Sequence, residues 1–297
     1  MIFGGLEAGG TKMVCAIGDE KGNILEREQF YTLSPEVTMP KMIAYFKRHN
    51  VDALGISCFG PIDLNKKHST YGYILKTTKV QWANYNIVKA FKDALNVPVG
   101  FDTDVNGACL AEAIYGAGKG LDNVVYFTIG TGIGVGVYVN GKLQHGLLHP
   151  EGGHMMIRRD PSDKYEGCCI FHHDCLEGLA SGPAIEGRFK TKGEQLEGNK
   201  EFIELESYYL AQGVCNAIYA YSPEKIILGG GVMHSKGLIE EVRMKVVSML
   251  NGYIQSNEIT DHIDSYVVLP SLKDNAGALG SIKLAMIEYY SSELPIS

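Results

Sequence analysis

The sequence predicts an α/β protein built from two related domains, and two observations carry this. Strand-type and helix-type hydrophobic patterns alternate along the chain. One unit, two strands around a glycine–threonine turn followed by a third strand, opens each half. In the first half the unit comprises apolar runs over residues 2–7 and 13–18 joined by Gly9-Gly10-Thr11-Lys12, the turn Asp19-Glu20-Lys21-Gly22, and a strand over 24–30. In the second it comprises 124–129, Gly130-Thr131-Gly132, 133–139, the hairpin turn Asn140-Gly141 and 142–144. The repeat predicts two α/β domains facing each other across a cleft.

The other elements follow in order. Met39, Met42, Ile43 and Phe46 give helical spacing over 36–49, and 53–57 reads as a buried strand. A helix over 87–95, a strand over 97–101 and a helix over 105–115 come next. Gly116-Ala117-Gly118-Lys119-Gly120 breaks the pattern and sets the boundary. The first domain is then 1–117 and the second 118–297, with the last helix free to pack back on the first. An irregular segment rich in cysteine and histidine covers 149–175. Beyond it the pattern predicts helices over 176–190 and 201–221, then a strand over 225–228 running into Gly229-Gly230-Gly231. A helix over 236–257, a strand over 266–269 and a helix over 275–290 close the chain.

Composition narrows the function classes. The 297 residues are 45% hydrophobic and 21% charged, as in ordinary globular chains. A formal net charge of −7 without a basic stripe argues against nucleic acid and anionic membrane as partners. No apolar run approaches the roughly 20 residues of a membrane span, and the first residues lack the pattern of a signal peptide. Cys15, Cys58, Cys109 and Cys215 each sit among apolar or small residues, as buried thiols do. These features predict a cytoplasmic protein.

Glycine in a turn lets backbone N–H groups approach phosphate oxygens, and a threonine hydroxyl adds a donor. A lone glycine hairpin is more often only a tight turn, but two at equivalent places in a repeat point to phosphate, and Lys12 adds a positive charge. Neither turn leads from a strand into a helix, so neither is a Walker A loop or a dinucleotide fingerprint. Gly229-Gly230-Gly231 either lets a flat ring or phosphate lie against backbone or is a loose connection. Asp102 and Asp104 lie between a strand and a helix, where Asp caps helices and where open α/β sheets place ligands. Cys169, His172 and Cys175, with His154 upstream, supply the two Cys and two His of a tetrahedral zinc site, and Cys168 and His173 are adjacent spares.

Four segments resemble the motifs of the ROK family (repressors, open reading frames, kinases) over essentially the whole chain. They are Glu7-Ala8-Gly9-Gly10-Thr11-Lys12, Asp102-Thr103-Asp104-Val105-Asn106, Thr128-Ile129-Gly130-Thr131-Gly132-Ile133-Gly134 and Ile227-Leu228-Gly229-Gly230-Gly231-Val232-Met233. Cys175-Leu176-Glu177-Gly178-Leu179-Ala180-Ser181-Gly182-Pro183-Ala184-Ile185 resembles the bacterial fructokinase branch. The resemblance implies a duplicated actin-like, hexokinase-like (ribonuclease H-like) fold with ATP held between the domains. It implies phosphates on Gly9, Gly10, Thr11, Lys12, Thr131 and Gly132, and adenosine near Pro183, Gly229, Gly230, Gly231, Val232 and Met233. It selects Asp104 as the catalytic base and His154, Cys169, His172 and Cys175 as ligands of a structural zinc.

The resemblance also places Glu151, His154 and Glu177 at the sugar with Asp104. It implies Mg-ATP as co-substrate; the sequence does not fix the protein ligands of the magnesium, and Glu7 is a candidate outer carboxylate for it. Relatives are typically homodimers. The family usually reads Glu-Asn-Asp where this chain reads Asp102-Thr103-Asp104, and in the glucose branch that Asn touches a sugar hydroxyl. Thr103 cannot offer both an amide donor and a carbonyl acceptor, which favours fructose. The expected activity is ATP-dependent phosphorylation of D-fructose to fructose 6-phosphate. The alternatives are a kinase for glucose, mannose or an N-acetylhexosamine, or a sugar-sensing regulator of the same fold. Against a regulator, the first strand begins by residue 2, which leaves no room for a helix-turn-helix, and Asp104 is intact.

Overall fold

A computed structural model describes residues 1–77 and 79–293. Two compact units emerge. The first contains Met1–Tyr115, His145–His149 and the described chain from Leu272 onward; the second contains Gly116–Gln144 and Pro150–Ser271.

The first unit begins with β1 (Phe3–Ala8), β2 (Lys12–Gly18) and β3 (Ile24–Tyr31), an antiparallel meander. Helix α1 (Pro35–His49) leads to β4 (Ala53–Cys58), then a small hairpin of β5 (Tyr73–Ile74) and β6 (Tyr85–Asn86). Helix α2 (Ile87–Leu95), β7 (Val99–Thr103) and α3 (Asp104–Ile114) follow. The sheet order is β3-β2-β1-β4-β7, with β1, β4 and β7 parallel.

The second unit repeats the plan. It contains β8 (Val124–Ile129), β9 (Ile133–Val139), β10 (Lys142–Leu143), α4 (Leu176–Ala180), α5 (Gly182–Phe189) and α6 (Lys200–Tyr221). Then come β11 (Lys225–Gly229), α7 (Leu238–Leu250), α8 (Asn257–Thr260), α9 (Ile263–Tyr266) and β12 (Val267–Val268). Its order is β10-β9-β8-β11-β12, again a meander extended by two parallel strands. Val125, Phe127, Val135 and Val137 of this sheet pack with Tyr209, Val214 and Val242 of α6 and α7. The duplication read from the turns is thus a duplication of strand order.

Helix α10 (Ala276–Glu293) belongs to the first unit, and the reason is a row of glycines. Gly5, Gly55 and Gly100 lie side by side in register on β1, β4 and β7. A Cβ on Gly55 would overlap the Ser281 carbonyl oxygen, and one on Gly100 would sit 2.5 Å from that of Leu284. The bare backbone of three strands is therefore the seat of α10, while Leu6, Ile56 and Val99 point into the cluster that holds Phe46 of α1 and Phe91 of α2. Gly55→Ala is expected to unseat α10, since overpacking costs typically about 1–3 kcal/mol. Among the described residues no helix is long and apolar enough to cross a membrane.

Three elements differ from the sequence pattern. The helix expected over 236–257 ends at Leu250, because Asn251 and Gly252 turn left-handed with φ of 47° and 72°. The helix expected over 176–190 breaks at Ser181, and the next one starts at Gly182 with Pro183 in its first turn. The strand expected over 97–101 instead carries Asp102 and Thr103 as its last residues.

Candidate active site and metal centre

Asp102 and Asp104 have opposite surroundings. Asp102 is buried in β7, where its Oδ1 accepts from the Thr103 backbone N–H (2.8 Å) and from Asn106 Nδ2 (2.7 Å). His145 Nε2 lies 2.8 Å from its Oδ2. Thr103 caps α3, its hydroxyl oxygen accepting from the Asn106 N–H at 3.1 Å. Asp104 is the first residue of α3 and is exposed, and its Oδ1 accepts the Val105 N–H at 2.9 Å. The protein mass crowding around it strips water from the carboxyl and pushes it up to about 6, against the Val105 and Asp104 N–H groups and the His149 charge, which pull it down. Asp104 is thus open to a ligand yet poorly hydrated. Asp102 and Thr103 serve as its mount.

The first glycine turn is a closed backbone loop. The Gly9 N–H donates to the Lys12 carbonyl at 3.0 Å, and Thr11 and Lys12 are exposed. Thr32 braces it, its N–H donating to Thr11 O (3.0 Å) and its hydroxyl to Gly9 O (2.7 Å). Glu7, at the end of β1, has its carboxyl raised first by burial and then by the charge of Asp104.

In the second unit a cavity of about 660 Å³ is lined by Thr131, Pro183, Gly231 and Val232, together with Lys192 and Lys236. Gly182 donates its N–H to Gly130 O at 2.7 Å, which ties the start of α5 to the second glycine turn. Gly132, Gly229, Gly230 and Met233 do not line the cavity. Gly230 has φ of 92°, and a Cβ there would overlap the Ile129 carbonyl oxygen. Its lack of a side chain thus lets β11 end against β8, whereas the sequence reading set it against a ligand.

His154, Cys169, His172 and Cys175 converge, their four donor atoms lying within 4.8 Å of one another. His154 Nδ1 is 3.7 Å from Cys169 Sγ and 3.5 Å from Cys175 Sγ, and His172 Nδ1 is 3.7 Å from Cys169 Sγ. Cys168 stands outside this group, its sulfur 3.4 Å from Ser181 Oγ. Glu151 is exposed just ahead of the turn Gly152–His154. Glu177, in α4, accepts the Ile133 N–H on Oε2 at 2.9 Å.

A family model described as ROK family matches residues 3–288. The chain belongs to the ROK family. A fructokinase of Lactococcus lactis subsp. cremoris is 45% identical over 287 residues, covering 96% of this chain and 97% of that protein. A fructokinase of Streptococcus mutans is 41% identical over 290 residues, covering 96% and 97%. Among solved structures, the ROK hexokinase from Thermus thermophilus matches with a TM-score of 0.83 at 24% identity, covering 98% of this chain and 100% of that one. The fold is therefore the actin-like one that the ROK motifs imply.

Sequence reasoning missed two contacts in this ROK chain. His145 pairs with Asp102 across 43 residues, and no local pattern signals such a partner. The second is the Glu177–Ile133 bond, because the resemblance set Glu177 at the sugar and nothing in the sequence near it signals a brace for a turn 44 residues away.

Proposed function

We propose that this ROK chain transfers the terminal phosphoryl group of ATP to the C6 hydroxyl of fructose. The observation that carries the chemistry is the contrast between Asp102, fully engaged, and Asp104, open and poorly hydrated with its carboxyl near 6. Phosphoryl transfer passes through a loose transition state, so the protein's task is positioning and charge neutralisation. Asp104 orients the sugar hydroxyl and takes its proton. The bond from that oxygen to phosphorus forms as the bond from phosphorus to the ADP oxygen breaks. Backbone N–H groups of Gly10 and Thr11, and of Thr131 and Gly132, hold phosphates, those of Gly9 and Gly130 being spent on closing their own turns. Magnesium is the counter-ion of ATP, and the cavity beside Pro183 and Val232 takes the adenosine.

Fructose is supported by two full-length relatives named fructokinase at 41–45% identity. Thr103 supports it too, since its hydroxyl is occupied by the cap of α3. Glu151, the other carboxylate oxygen of Glu177 and His154 Nε2 bind the sugar, His154 Nδ1 being turned to the two sulfurs.

The four-donor cluster fits zinc. Tetrahedral Zn–S of about 2.3 Å and Zn–N of about 2.05 Å put neighbouring donors about 3.6 Å apart. Three of the six donor pairs measure 3.5–3.7 Å, and all six lie within 4.8 Å. Thiolate and imidazole suit zinc better than magnesium or calcium. Four protein ligands close the site, so the ion is structural and its loop carries the sugar-binding glutamates. A coupled assay with Mg-ATP and a panel of hexoses tests the reading. The highest kcat/KM is expected with fructose, mannose being second, and glucose ahead of fructose by about tenfold would overturn it.

A further inference from the structure

The geometry points to Lys79 as a further phosphate-binding residue, one that holds the terminal phosphate of ATP at the first glycine turn; this rests on the kinase reading above. Lys79 is exposed on the segment between β5 and β6, which the sequence pattern did not single out. Its side chain runs along Gly10. A Cβ at Gly10 would sit 3.0 Å from Lys79 Cε and 3.9 Å from Nζ. The bare glycine is what lets the lysine lie against the turn.

The backbone under Lys79 is fixed to the same turn through a short chain of hydrogen bonds. Thr32 braces Gly9 and Thr11, as described above. The next residue, Leu33, accepts the indole N–H of Trp82 on its carbonyl at 2.6 Å. The Trp82 backbone N–H donates to the Lys79 carbonyl at 2.8 Å. Trp82 is 1% exposed, so its ring anchors the turn Val80–Trp82 that Lys79 caps. The backbone of Lys79 is thus tied to a glycine loop 69 residues away.

Chemistry then decides what the mount is for. Lys79 makes no ion pair among the described residues, so its charge is not consumed by a carboxylate. Lys12 and the N–H groups of Gly10 and Thr11 give the same turn a positive character. A lysine ammonium is a compact charge suited to phosphate oxygens. In phosphoryl transfer the charge to be offset spreads over the oxygens of the moving group. Lys79 meets that charge, whereas the adenosine cavity lies in the other unit. The ligand is a nucleoside triphosphate, recognised by its outermost phosphate.

The test compares Lys79→Met, which keeps length and removes charge, with Lys79→Arg. Calorimetry with ATP and with ADP is run beside steady-state kinetics. Lys79→Met is expected to lower kcat/KM for ATP by about 10- to 100-fold, and to weaken ATP while ADP and the fructose KM move less than about threefold. Lys79→Arg should restore most of the loss. Wild-type ATP kinetics in Lys79→Met would overturn the assignment, and so would equal losses for ATP and ADP. If the wild-type protein binds ATP but phosphorylates no hexose, the fructokinase reading falls by itself, and the ATP–ADP difference still decides Lys79.

Discussion

Glu177 Oε2 accepts the backbone N–H of Ile133 at 2.9 Å, and Ile133 is the first residue after the second glycine turn. A second element grips the same residue, since a Cβ on Gly153 would overlap the Ile133 carbonyl oxygen. Gly153 precedes the donor His154, and Glu177 follows the donor Cys175 by two residues. Both arms of the cysteine–histidine loop therefore bear on the turn proposed to hold phosphate. Whatever loosens that loop should be felt at ATP as well as at the sugar.

Glu177→Ala orphans the Ile133 N–H. It is expected to cost about 1–3 kcal/mol of stability and to raise KM for both substrates. Glu177→Gln keeps an oxygen that can accept that N–H, so its effect should fall mainly on fructose. Urea unfolding and two-substrate kinetics check this. An ATP KM unchanged in Glu177→Ala would cut the link between loop and turn.

The pH profile should report Asp104. Desolvation raises its carboxyl to about 6, and a base works only when ionised. kcat/KM for fructose should therefore hold above pH 7 and fall as pH drops through about 6. Asp104→Asn should lower kcat by ~10²–10⁴ and abolish that limb, with ATP affinity little changed. A carboxyl raised on folding opposes folding once ionised, so the Asn variant should melt at pH 7 no lower than the wild type. An acid limb that survives in Asp104→Asn would assign it to another group.

The sequence made some of this legible because the information is local. Two apolar strand-like runs and a glycine–threonine turn mark 124–129 and 133–139 within sixteen residues, and β8 and β9 have those limits. Cys169, His172 and Cys175 are likewise near neighbours, so their convergence can be read directly. The glycine row is different. Gly5, Gly55 and Gly100 come from three strands, and each alone looks like a weak strand residue. Only the register of β1, β4 and β7 turns them into a seat for α10. The His145–Asp102 pair and the mounting of Lys79 depend on long-range contacts for the same reason. Asn251-Gly252 was a local stop signal, overridden in the pattern by the apolar residues around it.

The cavity proposed for the nucleotide can be probed at adjacent glycines with opposite outcomes. Nothing lies within 4 Å of a Cβ built on Gly231, and Gly231 lines the cavity. Gly231→Val should leave the fold intact and weaken ATP by about tenfold or more by filling the space, with fructose binding nearly unchanged. Gly230→Val meets the Ile129 backbone from a positive φ and should instead lower the melting temperature and weaken both ligands. Calorimetry with each ligand and thermal melts separate the two. Normal ATP affinity in Gly231→Val would move the adenosine elsewhere.

Metal content is the remaining test, and its control is built into the sequence. Purified protein should carry about one zinc per chain, the stoichiometry of one closed four-ligand site. Cys169→Ser and Cys175→Ser should lose it, and Cys168→Ser should keep it, because the Cys168 sulfur faces Ser181 Oγ rather than the other donors. Binding requires deprotonated thiols, so zinc should also leave as the pH falls. Loss of the ion should loosen 149–180, which proteolysis or hydrogen exchange would read without any activity assay. Because Glu177 holds Ile133, the zinc-free variants should show a raised ATP KM together with a raised fructose KM. Zinc kept by Cys169→Ser and lost by Cys168→Ser would shift the ligand register by one residue. Protein prepared without chelator that carries no zinc would remove the metal, and leave the cluster as four polar side chains packed without an ion.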